Sequence, residues 1–459
     1  MPGGRDLRAW MERLEGLEPQ GGLAAGIEHF TLALPVEREA RDPARLAADG
    51  WFMETGGSAP GWRLGIGEAV RLQASGADRL ARLGARWARL RRTWHALRAG
   101  GARPAVFSGF AFAPGPAHEA WEGFPEACCI LPRVELWQGS GRSVLFLSAA
   151  RREWMAGPAA VRDRWRRALG RLIHCFEPAR GGAGFSGTVE RRPGFAQWSA
   201  RVHEALEALR AGGLGKLVLS RQECWRGPGL HPDIQPLTAF AEGGRGGAFY
   251  AVRRGGALLV GRSPERLVEV TRSEVISEAV AGTALAPGKD LAQPRLVAEH
   301  AWVVEAVEAA LRRALATPVR RGALAVRRVG GLVHRCQRLT ARRAAGAGPT
   351  PLELAAALHP TPAVAGHPGP EAMAWLRRHG EADRGWYSGG IGWMDAEGLG
   401  VFHVVLRCAL LRPGQARLFA GAGLVTGSRA GVEWRETEWK LRQAAGLLEL
   451  QEEPAWAAG

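Results

Sequence analysis

The apolar positions of this 459-residue chain change their period several times along its length. Between Leu72 and Arg98, Leu80, Leu83, Trp87, Leu90, Trp94 and Leu97 recur in alternating steps of three and four. That spacing predicts an amphipathic helix, with Arg79, Arg82, Arg86 and Arg89 near its polar side. From Ala105 to Ala150 the pattern shortens to apolar runs broken by Gly and Pro: "PAVFSGFAFAPG", "ACCILPRVELWQ" and "SVLFLSA". These predict antiparallel strands. A helix is expected near 160–175, and the Gly-rich "GGAGFSG" at 181–187 is the best candidate boundary.

Beyond that break, Trp198, Val202, Ala205, Leu206 and Leu209 share one helical face, which Gly212 and Gly213 end. Strands are expected at "KLVLSR", "AFYAVRR", "ALLVGRS", "RLVEV" and "EVISEAVAG", with helices at 294–316 and 351–358. The last third reads as strands at "GWYSGGIGWM", "GVFHVVLRCALL" and "ARLFAGAGLV", then a helix from about Glu433 to Gln451. Strands in hairpin spacing flanked by grouped helices predict an α+β fold with large, mostly antiparallel sheets and helices packed outside.

Composition changes this picture in one respect. A formal charge of +16 suits a nucleic-acid binder or a collector of anions. The Arg is spread along the chain, however, with no basic cluster interleaved with aromatics, so nucleic acid is not the expected partner. The six cysteines, 128, 129, 175, 224, 336 and 408, show no C-x-x-C and no Cys/His metal spacing, so reduced thiols are expected. The opening residues lack the apolar core of a signal peptide, and no apolar run approaches the roughly 20 residues of a membrane helix. A cytoplasmic protein without membrane contact is the expectation.

Of 61 basic residues only Lys216, Lys289 and Lys440 are lysine. Arg cannot lose its proton in a protein, whereas a buried Lys can be driven neutral and serve as a base. Lys216, at the head of a β-forming run, is therefore a catalytic candidate, with chance survival the competing reading. Glu299 falls in a long helical pattern, and Glu433 and Glu436 are i, i+3 neighbours on the last helix. Such carboxylates, without His or Cys nearby, suit a hard cation such as Mg²⁺, and equally suit solvated helix faces. Glu265 lies in the Pro-containing turn "GRSPERL", where a carboxylate can point into a cleft.

From about residue 190 to 445 the chain resembles the chorismate-binding enzymes, which include isochorismate, anthranilate, aminodeoxychorismate and salicylate synthases. The resemblance rests on "KLVLSR", "GRSPERL", "AVAGT", "AEHAWVVEAV", "LHPTPAVAG", "RGWYSGGIG", "VFHVVLR", "LFAGAGLV" and "EWRETEWK", in the family's order. It implies residues 188–459 as the catalytic region and 1–187 as a variable N-terminal half of the same compact domain. It also implies Lys216 as base, Glu265 as acid, and Glu299 and Glu436 as Mg²⁺ ligands with Glu433 nearby. Gly282, Thr283, Tyr387, Arg407, Gly421, Gly423 and Lys440 would contact substrate, and His334 resembles a substrate-side position. One departure is Arg295-Leu296-Val297, where the family carries Lys-Asp-Arg.

Three positions bear on which reaction is implied. Ala281 stands where aminodeoxychorismate synthases carry a nucleophilic lysine, and an alanine cannot attack. Ala363 replaces the Thr usual in amine-adding and salicylate-forming relatives, and "GHPGP" lacks the lysine of the ammonia users. Water is then the nucleophile, and the expected reaction is chorismate to isochorismate. The expected protein is a monomer without a glutamine amidotransferase subunit. A salicylate synthase is the alternative, and both menaquinone and siderophore synthesis stay open as destinations.

Overall fold

A computed structural model describes residues 9–19, 23, 26–36, 43–55, 61–96, 102–115, 119–177, 187–232, 247–285, 291–329, 332–343, 348–448 and 450. The period-2 segments assemble into a 13-stranded and a 9-stranded sheet. The larger runs from Thr188–Arg192 through Lys216–Arg226, Gln415–Leu424, Cys408–Arg412, Ala257–Ser263 and Ala248–Arg254. It continues through Gly50–Glu54, Gly61–Ile66, Val134–Gly139, Arg142–Ala150 and His29–Val36 to Trp94–Ala96, and Gly366–His367 adds to Lys216–Leu217. The smaller runs from Val319–Val329 through Leu332–Arg342, Glu274–Leu285, Arg266–Val270 and Gly400–Val404. Gly390–Asp395, Ala105–Phe110, Ala127–Leu131 and Val70–Ala74 complete it. Both sheets take strands from either side of residue 187.

The two sheets face each other across an aromatic core. Trp51 lies 5.8 Å from Phe107 and 5.9 Å from Trp386, with Tyr250, Leu259 and Ile391 in the same cluster. Helices cover the outer faces: Arg79–Thr93, Pro294–Ala314 and Pro351–Leu358 on the smaller sheet, Pro158–His174, Phe195–Arg210 and Ala430–Leu447 on the larger. This is the expected α+β arrangement, with mostly antiparallel sheets and helices outside. Among the described residues, no helix is long and apolar enough to cross a membrane, and all six cysteines are buried and free.

Several elements depart from the sequence reading. The helix expected between Leu72 and Arg98 occupies Arg79–Thr93, because Val70–Ala74 pairs with Ala127–Leu131 and Trp94–Ala96 runs parallel to His29–Thr31. Trp94 keeps the helical spacing yet serves a strand, and Leu97 lies outside the described residues. Arg79 is buried rather than on the polar side, its Nη2 donating to the Ala111 carbonyl at 2.8 Å. The closing helix spans Ala430–Leu447, and residue 451 is outside the described set. The boundary at 181–187 is described only at residue 187. The Val319–Val329 and Leu332–Arg342 hairpin and the Gly369–Arg378 helix had no counterpart in the expected elements.

Helix Pro351–Leu358 carries a capping box. Thr350 Oγ1 accepts from Glu353 N–H at 3.3 Å, and Glu353 Oε2 accepts from Thr350 N–H at 2.7 Å. Satisfying those orphan donors fixes where the helix starts, and hence where Thr361–Ala365 enters the interior. Thr350→Ala should lower unfolding free energy by about 1 kcal/mol. A shifted denaturant midpoint with an unchanged slope would show it, and an unmoved midpoint would contradict the role.

Candidate active site

The chain passes between the two sheets twice beside one cavity. The first passage joins Ala257–Ser263 of the larger sheet to Arg266–Val270 of the smaller through Pro264 and Glu265. Proline lacks the N–H a ladder needs, so the strand ends there. The second joins Gly400–Val404 to Cys408–Arg412 through Val405, Leu406 and Arg407, and Arg407 holds a left-handed φ of 48°. This explains why "GVFHVVLRCALL" forms two strands. The passages are tied together: Val404 N–H donates to the Glu265 carbonyl at 3.1 Å and Arg262 N–H to the Arg407 carbonyl at 3.2 Å.

Ten of the twelve candidate residues line this cavity: Lys216, Glu265, Thr283, Glu299, Tyr387, Arg407, Gly421, Gly423, Glu436 and Lys440. His334, Ala281 and Ala363 line it as well. Gly282 and Glu433 stand behind the lining. Gly282 forms a bulge between Ala281 and Thr283, with φ 71°, and a Cβ there would meet the Leu296 carbonyl at 2.7 Å. The bulge thus turns Thr283 inward while the helix of Glu299 packs close. Of the three lysines, Lys216 and Lys440 border the cavity and Lys289 lies outside the described residues.

Lys216 opens its strand and is 1% exposed, with Nζ 3.0 Å from Glu299 Oε1. Both lie over Gly423, where a Cβ would come within 2.6 Å of Glu299 Oε1 and 2.8 Å of Lys216 Cε. Glycine is required at that position by close approach. Glu265 is fully enclosed, and burial pushes its carboxyl up to about 8 against the lowering pull of Lys216. Each pKa unit is worth about 1.4 kcal/mol, so desolvation outweighs the lysine here by several kcal/mol. Thr361 Oγ1 donates to Glu265 Oε1 at 3.4 Å, a contact with no expectation in the sequence.

Arg407 is buried, and burial lowers its pKa to about 10 while Glu436 opposes the shift. Its Nη1 has no hydrogen-bond partner, and Nη2 donates to His334 Nε2 at 3.4 Å. A guanidinium only donates, so His334 is neutral with its hydrogen on Nδ1, facing Thr283 Oγ1 at 2.9 Å. Burial and the Arg407 charge both push its pKa well below the ordinary value, consistent with that tautomer. His334 is therefore a satisfied buried histidine and a cavity wall at once. The Thr283 hydroxyl hydrogen is left to point elsewhere.

The last helix brings Glu436 and Lys440 together: Lys440 Nζ donates to Glu436 Oε1 at 2.6 Å and to the Gly421 carbonyl at 2.7 Å. Glu433, deeper, pairs with Arg295 Nη1 at 3.1 Å. Arg295 therefore has a defined structural partner, although this stretch departs from the family pattern. Burial and then Glu436 push the Glu433 carboxyl up to about 8, with Glu299 adding and Arg295 opposing. Among the described residues no three acidic, His or Cys side chains already converge as metal ligands, since each carboxylate faces a basic side chain.

The fold and sequence of this chain have close counterparts. The salicylate biosynthesis isochorismate synthase of Pseudomonas aeruginosa is 36% identical over 402 residues, 82% of this chain and 80% of that one. The vibriobactin-specific isochorismate synthase of Vibrio cholerae is 33% identical over 282 residues, 57% of this chain and 69% of that one. Among solved structures, the menaquinone-specific isochorismate synthase MenF from Escherichia coli superposes with a TM-score of 0.72 at 20% identity. It covers 97% of this chain and 99% of that one, a likeness that concerns the fold. The family described as "Chorismate binding enzyme" matches residues 52–449, which include every cavity residue above, and the chain belongs to that family.

Proposed function

We propose that this chain is an isochorismate synthase, converting chorismate to isochorismate with Mg²⁺. The observation that carries the reading is the pairing of a buried lysine and a buried, protonated glutamic acid in one cavity, with Arg407 Nη1 left to bind an anion. The names of the Pseudomonas and Vibrio relatives support the same reaction. In this reading Lys216, as the free amine, accepts a proton from the water that adds at C2. Glu265 donates its proton to the C4 hydroxyl, which leaves as water while the ring double bond shifts. One water enters and one departs, so the product is an isomer. Arg407 holds the enol-pyruvyl carboxylate, and Lys440, Thr283, Tyr387 and the backbone at Gly421 hold the rest. Since water is the nucleophile, the enzyme acts alone, without an amidotransferase.

The donors available for Mg²⁺ are all oxygen, and Glu436 and Glu299 stand near enough to add to the burial that raises the proton affinity of Glu433. A hard divalent cation relieves that repulsion, so the residues fit one. Glu299 and Glu436 would hold it, with Glu433 behind them, and it would supply fixed positive charge for the ring carboxylate.

With chorismate and Mg²⁺, chromatography should show isochorismate as the major product, since Ala363 offers only a methyl where elimination would want a hydroxyl. Chelator should abolish turnover, and so should Glu299→Gln. Salicylate and pyruvate as the main early products would replace this reading with a salicylate synthase.

Lys216→Arg should fold normally and lose turnover by about 10²-fold or more, the weight of a general base. Near-normal turnover would remove Lys216 from the chemistry.

Glu265 donates only while protonated. Because burial raises its pKa to about 8, kcat/KM should fall as pH rises through that value. A profile flat to pH 10 would show that another group is the acid.

A further inference from the structure

A second, larger cavity of about 510 Å³ opens on the other side of the Tyr387–Phe419 wall. Thr188–Arg192 pairs only with residues 222–226 of its neighbour, which leaves a gap in the sheet ahead of it. Side chains cap that gap: Glu381 Oε2 accepts from Ser220 N–H at 3.1 Å, and Arg384 Nη2 donates to the Val218 carbonyl at 2.7 Å. The cavity beside it has a size ordinary for small-molecule sites. Tyr387 and Phe419 belong to both cavities, stacked at 5.3 Å, and Trp121 continues the stack on Phe419 at 5.4 Å.

Arg417 lies two residues along the strand from Phe419 on the same face, and it is 8% exposed. Among the described residues its side chain makes no hydrogen bond or ion pair, and its Nε is buried without a partner. Burial lowers its pKa first, with Arg192 and Arg226 adding to that and Cys224 and Glu119 opposing it. Arg192 is already held by Glu190, at 2.9 Å from Nη2, so that carboxylate is engaged. A largely buried guanidinium that no side chain hydrogen-bonds is costly, and an anion supplied from solution would offset that cost. A carboxylate matches its two parallel N–H groups, and an aromatic ring matches the Trp121–Phe419 wall.

We propose that this cavity is a second binding site, distinct from the catalytic one, for a small aromatic carboxylate anchored by Arg417 and lying against Trp121 and Phe419. The two sites share a wall, so an occupied second site braces Tyr387 and Phe419 from behind.

Calorimetric titration of the full chain with 2-hydroxybenzoate tests this without reference to turnover. Saturable binding is expected, weakened at least tenfold by Arg417→Gln and less by Arg417→Lys. Arg407→Gln, which alters the catalytic cavity, should leave that binding unchanged. Acetate should bind more than tenfold more weakly than 2-hydroxybenzoate. Chorismate turnover by Arg417→Gln should stay within twofold of the unmodified protein, and its unchanged thermal midpoint would exclude a folding defect. The proposal is overturned if no saturable binding occurs, if Arg407→Gln rather than Arg417→Gln removes it, or if acetate binds equally well.

Discussion

The architecture depends on where the chain crosses between the two sheets. Two crossings between interior strands flank the cavity, and each delivers one charged side chain into it: Glu265 from the first and Arg407 from the second. Two backbone hydrogen bonds lock the crossings to each other, so neither residue can move without disturbing two sheets. A protein interior of this kind transmits small shifts rather than absorbing them. Glu265 and Arg407 are thus fixed relative to one another by the sandwich itself.

That rigidity lets burial set the electrostatics. Lys216, Glu265, Arg407 and Glu433 are all nearly inaccessible to solvent, and ionised groups in that position are tolerated only with partners. Lys216 stands against Glu299 and Glu436 against Lys440, while Glu433, though paired with Arg295, is pushed up to about 8 by burial and Glu436. Glu265 has only a threonine hydroxyl at 3.4 Å, and keeps its proton instead. Arg407 cannot shed its charge near neutral pH and retains an unsatisfied Nη1. In the proposed reaction a dianionic substrate meets both conditions: its carboxylates would complete the cations, and its departing hydroxyl would meet the protonated carboxyl of Glu265.

Much of the sheet structure was legible because buried strands leave short apolar runs whatever packs on them. "AFYAVRR", "ALLVGRS" and "RLVEV" match their strands residue for residue. The Val319–Arg342 hairpin escaped because Arg occupies so many of its positions that apolar alternation is hard to see. Trp94 kept a helical spacing while pairing with His29, a choice made by a neighbour more than 60 residues away. The site divides in the same way. Candidate carboxylates and lysines could be picked from types and spacing, but their roles came from family resemblance. Contacts such as Thr361 to Glu265 and Arg295 to Glu433 bring together residues 96 and 138 positions apart, beyond any local pattern.

The composition makes the survival of lysine informative in a physical sense. A chain that writes arginine at nearly every basic position retains lysine at two places on one cavity wall. At 440 the single ammonium reaches both Glu436 and the Gly421 carbonyl, a converging geometry that a point charge with rotatable donors makes easily. At 216 the side chain lies flat over Gly423, in space that would close if either residue were larger. Arginine there would bring a wider, planar head and a proton it does not surrender. The glycine at 423 and the lysine at 216 are therefore one device: the first leaves the room, and the second fills it with the only strongly basic side chain able to take up a proton.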